Sequence, residues 1–167
     1  YMQTLKNEML TIQVSEHGAE LQSIRKDDYE YLWQGNPEYW GRRSPVLFPI
    51  VGSVWEKCFR VDGKVYEMGQ HGFARDMDFE LVSAADTEVW YRLESSEKTL
   101  AAYPWPFVLE IGYRLEGNSV TVLWKVTNPG ESEMYFQIGA HPAFNYPDYD
   151  PETPDRGVVE FDRNENL

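Results

Sequence analysis

Two histidines, His71 and His141, are the residues of this sequence best suited to acid–base chemistry. His71 stands in QHGFARDMDFE, directly before a glycine that lets backbone approach a ligand closely. His141 stands in QIGAHPAFNY, between an apolar run and Pro142. An imidazole can donate or accept a proton near neutral pH. Because both histidines have small or rigid neighbours at predicted strand–loop borders, we expect them to share one cleft.

Other kinds of catalytic site find no support in the motifs. Cys58 is the single cysteine, and the cysteine and histidines show neither CxxC nor HExxH spacing. The sequence has no GxSxG nucleophile motif and no glycine-rich phosphate loop. His17 falls in a predicted turn, so we interpret it as a surface residue. We therefore predict a site that uses no metal and no cofactor.

Composition favours a small neutral ligand over a polyanion. The 167 residues carry a formal net charge of -13, which repels nucleic acid and anionic membranes. Aromatic residues make up 15% of the chain, and they suit both β-structure and the flat faces of a sugar. One cysteine gives no intrachain disulfide, and no apolar run approaches about 18 residues. These features predict a cytoplasmic protein that does not enter the membrane.

The elements that must position the histidines are predicted to be antiparallel strands. Apolar and charged residues alternate over 88–94, and again over 107–115 and 120–126 on either side of the turn EGNS. CFRVDGKVYEM predicts a hairpin at Asp62-Gly63, and the NPG turn leads into a predicted strand over MYFQIGAHPAF. Strands joined by turns predict an all-β fold, an antiparallel β-sandwich or barrel.

The first third of the chain predicts shorter strands and one buried loop. LTIQVSEHGAELQSIRK predicts two strands around a turn, and YEYLWQG a third. Pro45 and Pro49 exclude a central strand over RRSPVLFPIVGS, which we interpret as a loop crossing buried surface.

The end of the chain bears on its completeness. We expect one domain over residues 1–167, and GVVEFDRNENL begins another predicted strand. This predicts a sandwich that is incomplete at the C-terminus. Its exposed apolar edges would favour a homo-oligomer.

Five segments in order resemble the aldose 1-epimerase (galactose mutarotase) superfamily, and most closely its LacX-like branch. They are GAELQSI, YLWQG, W-GRRSPVLFPIVG, DGKVYEMGQHGFAR and IGAHPAFN, which together run from about residue 8 to residue 146. The resemblance implies a large antiparallel β-sandwich, the supersandwich, with a sugar cleft on one sheet. It also implies a small-molecule aldose as substrate.

The resemblance also implies roles for the two histidines. His141 matches the general acid that protonates the sugar ring oxygen, and His71 matches the histidine that hydrogen-bonds the sugar near the reacting carbon. The family's general base is a glutamate farther downstream, and residues 147–167 contain no match to it. The resemblance therefore implies that the 167 residues alone convert sugar slowly or not at all.

Further residues are assigned to sugar binding. Arg43, or its neighbour Arg42, matches an arginine near the site, whereas Ser53 replaces an arginine of the galactose mutarotases. The remaining predicted substrate contacts are Arg75, Phe144 and Asn145. Two other functions stay open: a sugar-binding module without catalysis, and a hexose-6-phosphate mutarotase whose arginines converge on the phosphate.

Overall fold

The computed structural model of the chain describes residues 1–146, 149–154, 158 and 160–163. Its first sheet contains four antiparallel strands in sequence order. Alternation explains the strands, since Ile12 and Val14 are buried while Gln13 between them is exposed. The strands are β1 (Met2–Lys6), β2 (Thr11–Ser15), β3 (Leu21–Lys26) and β4 (Tyr29–Glu30).

Short strands and one helix lie outside the two large sheets. The helix α1 begins with a capping box, in which the Ser96 side chain and the Thr99 side chain each accept a backbone N–H of the other residue. These elements are β5 (Val46–Leu47), β6 (Cys58–Val61), β7 (Lys64–Glu67), α1 (Glu97–Ala102) and β12 (Gly139–Ala140).

The second sheet is a meander in which each strand pairs with the next. Its order is β11-β10-β9-β8, and Ile111 in its centre lies between Tyr91 and Trp124. This confirms the antiparallel strands predicted from alternation over 88–126. The strands are β8 (Glu80–Ala84), β9 (Glu88–Glu94), β10 (Val108–Glu116) and β11 (Ser119–Thr127).

The hydrophobic core joins the inner faces of the two large sheets. Two buried tyrosines of the meander donate hydrogen bonds to the first sheet and its turn. Tyr91 Oη donates to Val14 O at 3.1 Å, and Tyr113 Oη donates to Ala19 O at 2.7 Å. Each buried hydroxyl thereby finds an acceptor. The architecture is therefore the antiparallel β-sandwich that the sequence predicts.

Trp90 breaks the alternation of β9 because it lies on the outer face of the meander. It sits beside Gly112 in the pairing register, and a methyl group on Gly112 would come within 2.7 Å of the indole. The glycine therefore makes room for the large ring.

The strand predicted over MYFQIGAHPAF is mostly wrong. Only Gly139–Ala140 is a strand, and it pairs with Val46–Leu47. The prolines explain this, because Pro45, Pro49 and Pro142 lack the N–H that a longer ladder would need. The predicted loop crossing buried surface is confirmed, since residues 44–49 are all buried.

Sequence reasoning also missed several elements, and one of its strands cannot be placed. The strands β1 and β8 and the helix α1 were not predicted. The strand predicted over residues 157–167 falls largely outside the described residues, and those described there form no strand. The edge strand β11 exposes Val122 and Trp124, at 41% and 39%, which agrees with the predicted apolar edge.

Candidate active site

His141 is positioned by the pairing of two proline-bounded segments. Its backbone N–H donates to Pro45 O at 3.1 Å, directly after the short pairing of β12 with β5. Two residues later, Ala143 N donates to Arg43 O at 2.9 Å. The backbone of His141 is thus held against the buried loop at both sides, and its side chain is exposed at the surface of that loop.

His71 is held by a two-way contact with Gly52. The His71 N–H donates to Gly52 O at 2.7 Å, and Gly52 N donates to His71 Nδ1 at 2.9 Å. The backbone of His71 is left-handed, with φ of 63°, and Gly72 continues it with φ of 71°. Because Nδ1 accepts a hydrogen bond, the neutral imidazole carries its proton on Nε2. Nε2 is therefore a fixed donor for a ligand.

The two imidazoles lie next to each other. Their ring centroids are 6.1 Å apart at an interplanar angle of 65°, and the Trp40 ring lies 4.9 Å from that of His141 on another side. The structure thus brings together the pair that the sequence predicted to share a cleft. A sugar hydroxyl and a ring oxygen could be reached by the two rings at once, whereas the catalytic roles stay a prediction.

Positive charge surrounds His71. Arg42 Nη2 donates to Asp76 Oδ1 at 2.7 Å, and Arg75 Nε lies 3.7 Å from Asp76 Oδ2. The pKa of His71 is lowered from its ordinary value, first by desolvation and then by the charges of Arg75, His141 and Arg42. His71 is therefore neutral at neutral pH and is better suited to donate from Nε2 than to carry a charge.

The comparisons with known proteins agree with this fold. The model of the aldose 1-epimerase family matches residues 1–165. The chain belongs to the aldose 1-epimerase family. The LacX protein of Lactococcus lactis subsp. lactis, in its chromosomal form, is 39% identical over 165 residues, which are 94% of this chain and 55% of that protein.

Solved structures of aldose 1-epimerase relatives share the fold. The galactose mutarotase related enzyme from Lactobacillus acidophilus superimposes with a TM-score of 0.88 at 39% identity, covering 92% of this chain and 52% of that one. A galactose mutarotase-like protein from Lactobacillus casei gives a TM-score of 0.84 at 38% identity, over 87% and 50% of the two chains. The chain thus spans about half the length of the relatives it matches.

Three of the residues predicted to bind the sugar make their contacts elsewhere in the chain. Arg43 Nη1 donates to Gln22 O at 2.8 Å, and Asn145 Nδ2 donates to the carbonyls of Glu30 and Leu32. Both groups thereby tie backbone segments together. Phe144 is 64% exposed and lines a separate cavity, together with Leu10, Ile24, Lys26, Tyr31, Asn118 and Val120. These contacts give no support to sugar binding by the three residues.

Sequence reasoning missed two side chains of the candidate site. Trp40 was quoted within the W-GRRSPVLFPIVG segment without a role, and it contacts His141. Asp76 follows the HGFAR motif and joins the two arginines. An aromatic residue two positions before an arginine pair is a signal that could have indicated Trp40. Asp76 could not be paired with Arg42 without knowing that their loops meet.

The described ranges hold neither a cluster of metal ligands nor a membrane-spanning helix. Residues 1–146 and the described parts of 149–163 contain no cluster of three or more metal-ligating His, Cys, Asp or Glu side chains. Over the same ranges, no helix is long and apolar enough to cross a membrane.

We expect Arg75→Gln to raise the pKa of His71, because the substitution removes the larger of the two arginine charges that oppose its protonation. The Cε1 proton of His71, followed by NMR against pH, should titrate below 6.5 in the wild type and closer to 6.5 in the variant. Arg114 pairs with Glu88 on the meander. Arg114→Gln is therefore the control, and it should leave the His71 titration unchanged.

The same shift makes folding stability depend on pH. The unfolded chain protonates His71 near 6.5, whereas the folded chain does so at a lower pH. The unfolded state then binds more protons in that interval, so the free energy of unfolding should decrease as pH falls through it.

Proposed function

We propose that the whole protein interconverts the α and β anomers of an aldose by acid–base catalysed ring opening. The observation that carries this proposal is the adjacency of His71 and His141, with ring centroids 6.1 Å apart, in a member of the aldose 1-epimerase family. His141 is the proposed general acid. His71 is the proposed hydrogen-bond donor to the sugar, through Nε2.

The reaction needs an acid and a base on opposite sides of the anomeric carbon. The base takes the proton of the C1 hydroxyl while His141 protonates the ring oxygen, so the bond between C1 and that oxygen breaks and an aldehyde forms. Rotation about C1–C2 and reclosure with reversed roles give the other anomer. Acid–base groups of this kind each contribute about 10²–10⁴-fold. Asp76 is engaged by Arg42, so we do not assign it as the base.

Polarimetry of freshly dissolved α-glucose and α-galactose tests the proposal. We expect the whole protein to accelerate the change in optical rotation above the rate in buffer. The 167-residue chain should be slower, because residues 147–167 offer no match for the family's base glutamate. Sugar-induced shifts in the histidine NMR signals without acceleration by the whole protein would instead support a binding module that does not catalyse.

A second candidate, mutarotation of a hexose phosphate, is supported by the arginines next to His71. Arg42 and Arg75 share the single carboxylate of Asp76, which leaves a net positive charge in a protein of formal net charge -13. Arg75 Nε makes no hydrogen bond to any described residue, and its distance to Asp76 Oδ2 is 3.7 Å. A higher kcat/KM for glucose 6-phosphate than for glucose would favour this candidate, and the preference should weaken at high salt.

A further inference from the structure

The His141 side chain is oriented without a hydrogen bond. Among the described residues, no side-chain or backbone group is hydrogen-bonded to its imidazole, whereas His71 Nδ1 is fixed by Gly52 N. The His141 ring lies beside the rings of Trp40 and His71. Catalytic imidazoles are usually oriented by a hydrogen bond to the second ring nitrogen. In this protein, ring packing has to supply that orientation.

Trp40 is itself held rigidly where it meets His141. Its N–H donates to Asn36 O at 2.9 Å, and its carbonyl accepts from Trp33 Nε1 at 2.8 Å. The indole is half-buried and inclined by 41° to the His141 ring, at 4.9 Å between centroids. A side chain with a fixed backbone and a large flat ring restricts the rotamers open to its neighbour.

An ion pair links the Trp40 loop to the His71 loop. Arg42, two residues after Trp40, donates to Asp76 Oδ1 at 2.7 Å, and Asp76 lies five residues after His71. The two loops that carry Trp40 and His71 are therefore joined across the histidine pair. Both side chains are partly exposed, at 34% and 53%, so this bridge is open to screening by salt.

We propose that Trp40 is a positioning residue for His141, and that the Arg42–Asp76 ion pair keeps Trp40 in place. This inference rests on the proposed function, in which His141 is the general acid. It assigns to Trp40 the task that a hydrogen-bonding carboxylate performs for other catalytic histidines. Trp40 acts on the orientation of the imidazole and takes no proton itself.

Activity measurements separate positioning from sugar binding. We expect Trp40→Leu to lower kcat of the whole protein by about 10-fold or more, because small errors in placing a catalytic group are costly. KM should change by less than about three-fold. Trp40→Phe keeps a flat ring and should recover much of the rate. Trp55→Leu removes a tryptophan that is 86% exposed, and it should match the wild type. A raised KM with unchanged kcat would overturn the proposal.

A spectroscopic measurement decides the packing without relying on activity. The chain has three histidines, so the imidazole protons of His141 can be assigned from His17→Gln and His71→Gln spectra. We expect those protons to carry a ring-current shift that is lost in Trp40→Leu and kept in Trp55→Leu. If the signals of His141 do not move in Trp40→Leu, the positioning proposal is wrong, whatever the activity. A wild type that is inactive on every aldose overturns the proposed function instead.

The ion pair has a matched control two residues away. Asp76→Asn should reproduce the Trp40→Leu effects in weakened form, with a smaller loss of kcat and a partial loss of the ring-current shift. Asp78→Asn makes the same chemical change at a carboxylate that pairs with His17, and it should have no effect on either readout. Equal effects of the two variants would show that the Arg42–Asp76 link does not hold Trp40.

Discussion

Replacing His141 with alanine is expected to lower the turnover of α-to-β aldose conversion by about 10²-fold or more, through loss of general-acid catalysis. Sugar affinity should fall less, since the acid acts mainly in the transition state. The imidazole is exposed, and its ring centroid lies 6.1 Å from that of His71, the proposed hydrogen-bond donor to the sugar. Polarimetry on the whole protein with α-glucose and α-galactose measures the loss.

The other two histidines are the matched comparisons for this variant. His71→Ala should raise KM as well as lower turnover, because a hydrogen bond from Nε2 would hold the sugar in the ground state too. His17→Ala should leave both values unchanged, since His17 pairs with Asp78 and is not in contact with the ring pair. If His141→Ala keeps as much turnover as His17→Ala, the general acid is another residue.

Gly72→Ala is expected to destabilise the fold by about 2–4 kcal/mol and to displace His71. The residue has φ of +71°, and a methyl group there would lie 2.2 Å from Phe48 O and 2.7 Å from Pro49 Cδ. The obstructing atoms belong to backbone and to a proline ring in a buried loop, so they cannot rotate away. Urea denaturation followed by fluorescence measures the change in the free energy of unfolding.

Gly63→Ala separates the clash from the backbone preference. Gly63 has φ of +79°, close to that of Gly72, but no atom lies within 4 Å of the added methyl group. Gly63→Ala should therefore destabilise the fold only by the cost of placing alanine in the left-handed conformation, about 1–2 kcal/mol. If the two variants lower the free energy of unfolding equally, the close approach of Gly72 to Phe48 and Pro49 contributes nothing to the destabilisation.

The sequence predicted β9, β10 and β11 of the meander because inward-facing apolar residues recur at every second position along them. In β10 the residues Leu109, Ile111, Tyr113 and Leu115 point to one side, and all four are buried. A period of two residues fixes both the strand and the face it buries. The strands β1 and β8 escaped the analysis, since every residue of β8 is exposed and only Leu5 of β1 is buried. A strand without a buried face leaves no alternating pattern.

The strand predicted over MYFQIGAHPAF failed for a different reason. Pairing is limited to Gly139–Ala140 because the partner segment is bounded by Pro45 and Pro49. Prolines in one segment shorten the hydrogen-bond ladder of the segment opposite. Here the paired residues Val46 and Ala140 are some ninety positions apart in the sequence. A residue's own neighbours do not reveal such a partner.

The sequence by itself determined the antiparallel sandwich and the two histidines, because periodicity and residue chemistry are local properties. It also identified HGFAR and GAHPAFN as the segments that resemble the aldose 1-epimerase family. Only the tertiary structure decided which side chains surround those histidines. His71 and His141 are 70 positions apart in the sequence, and the buried loop that contains Phe48 brings them together. Contacts between loops add Trp40 and Asp76 to their surroundings. The side chains of Arg43 and Asn145 are instead hydrogen-bonded to backbone carbonyls. Contacts between distant loops depend on packing that no short pattern encodes.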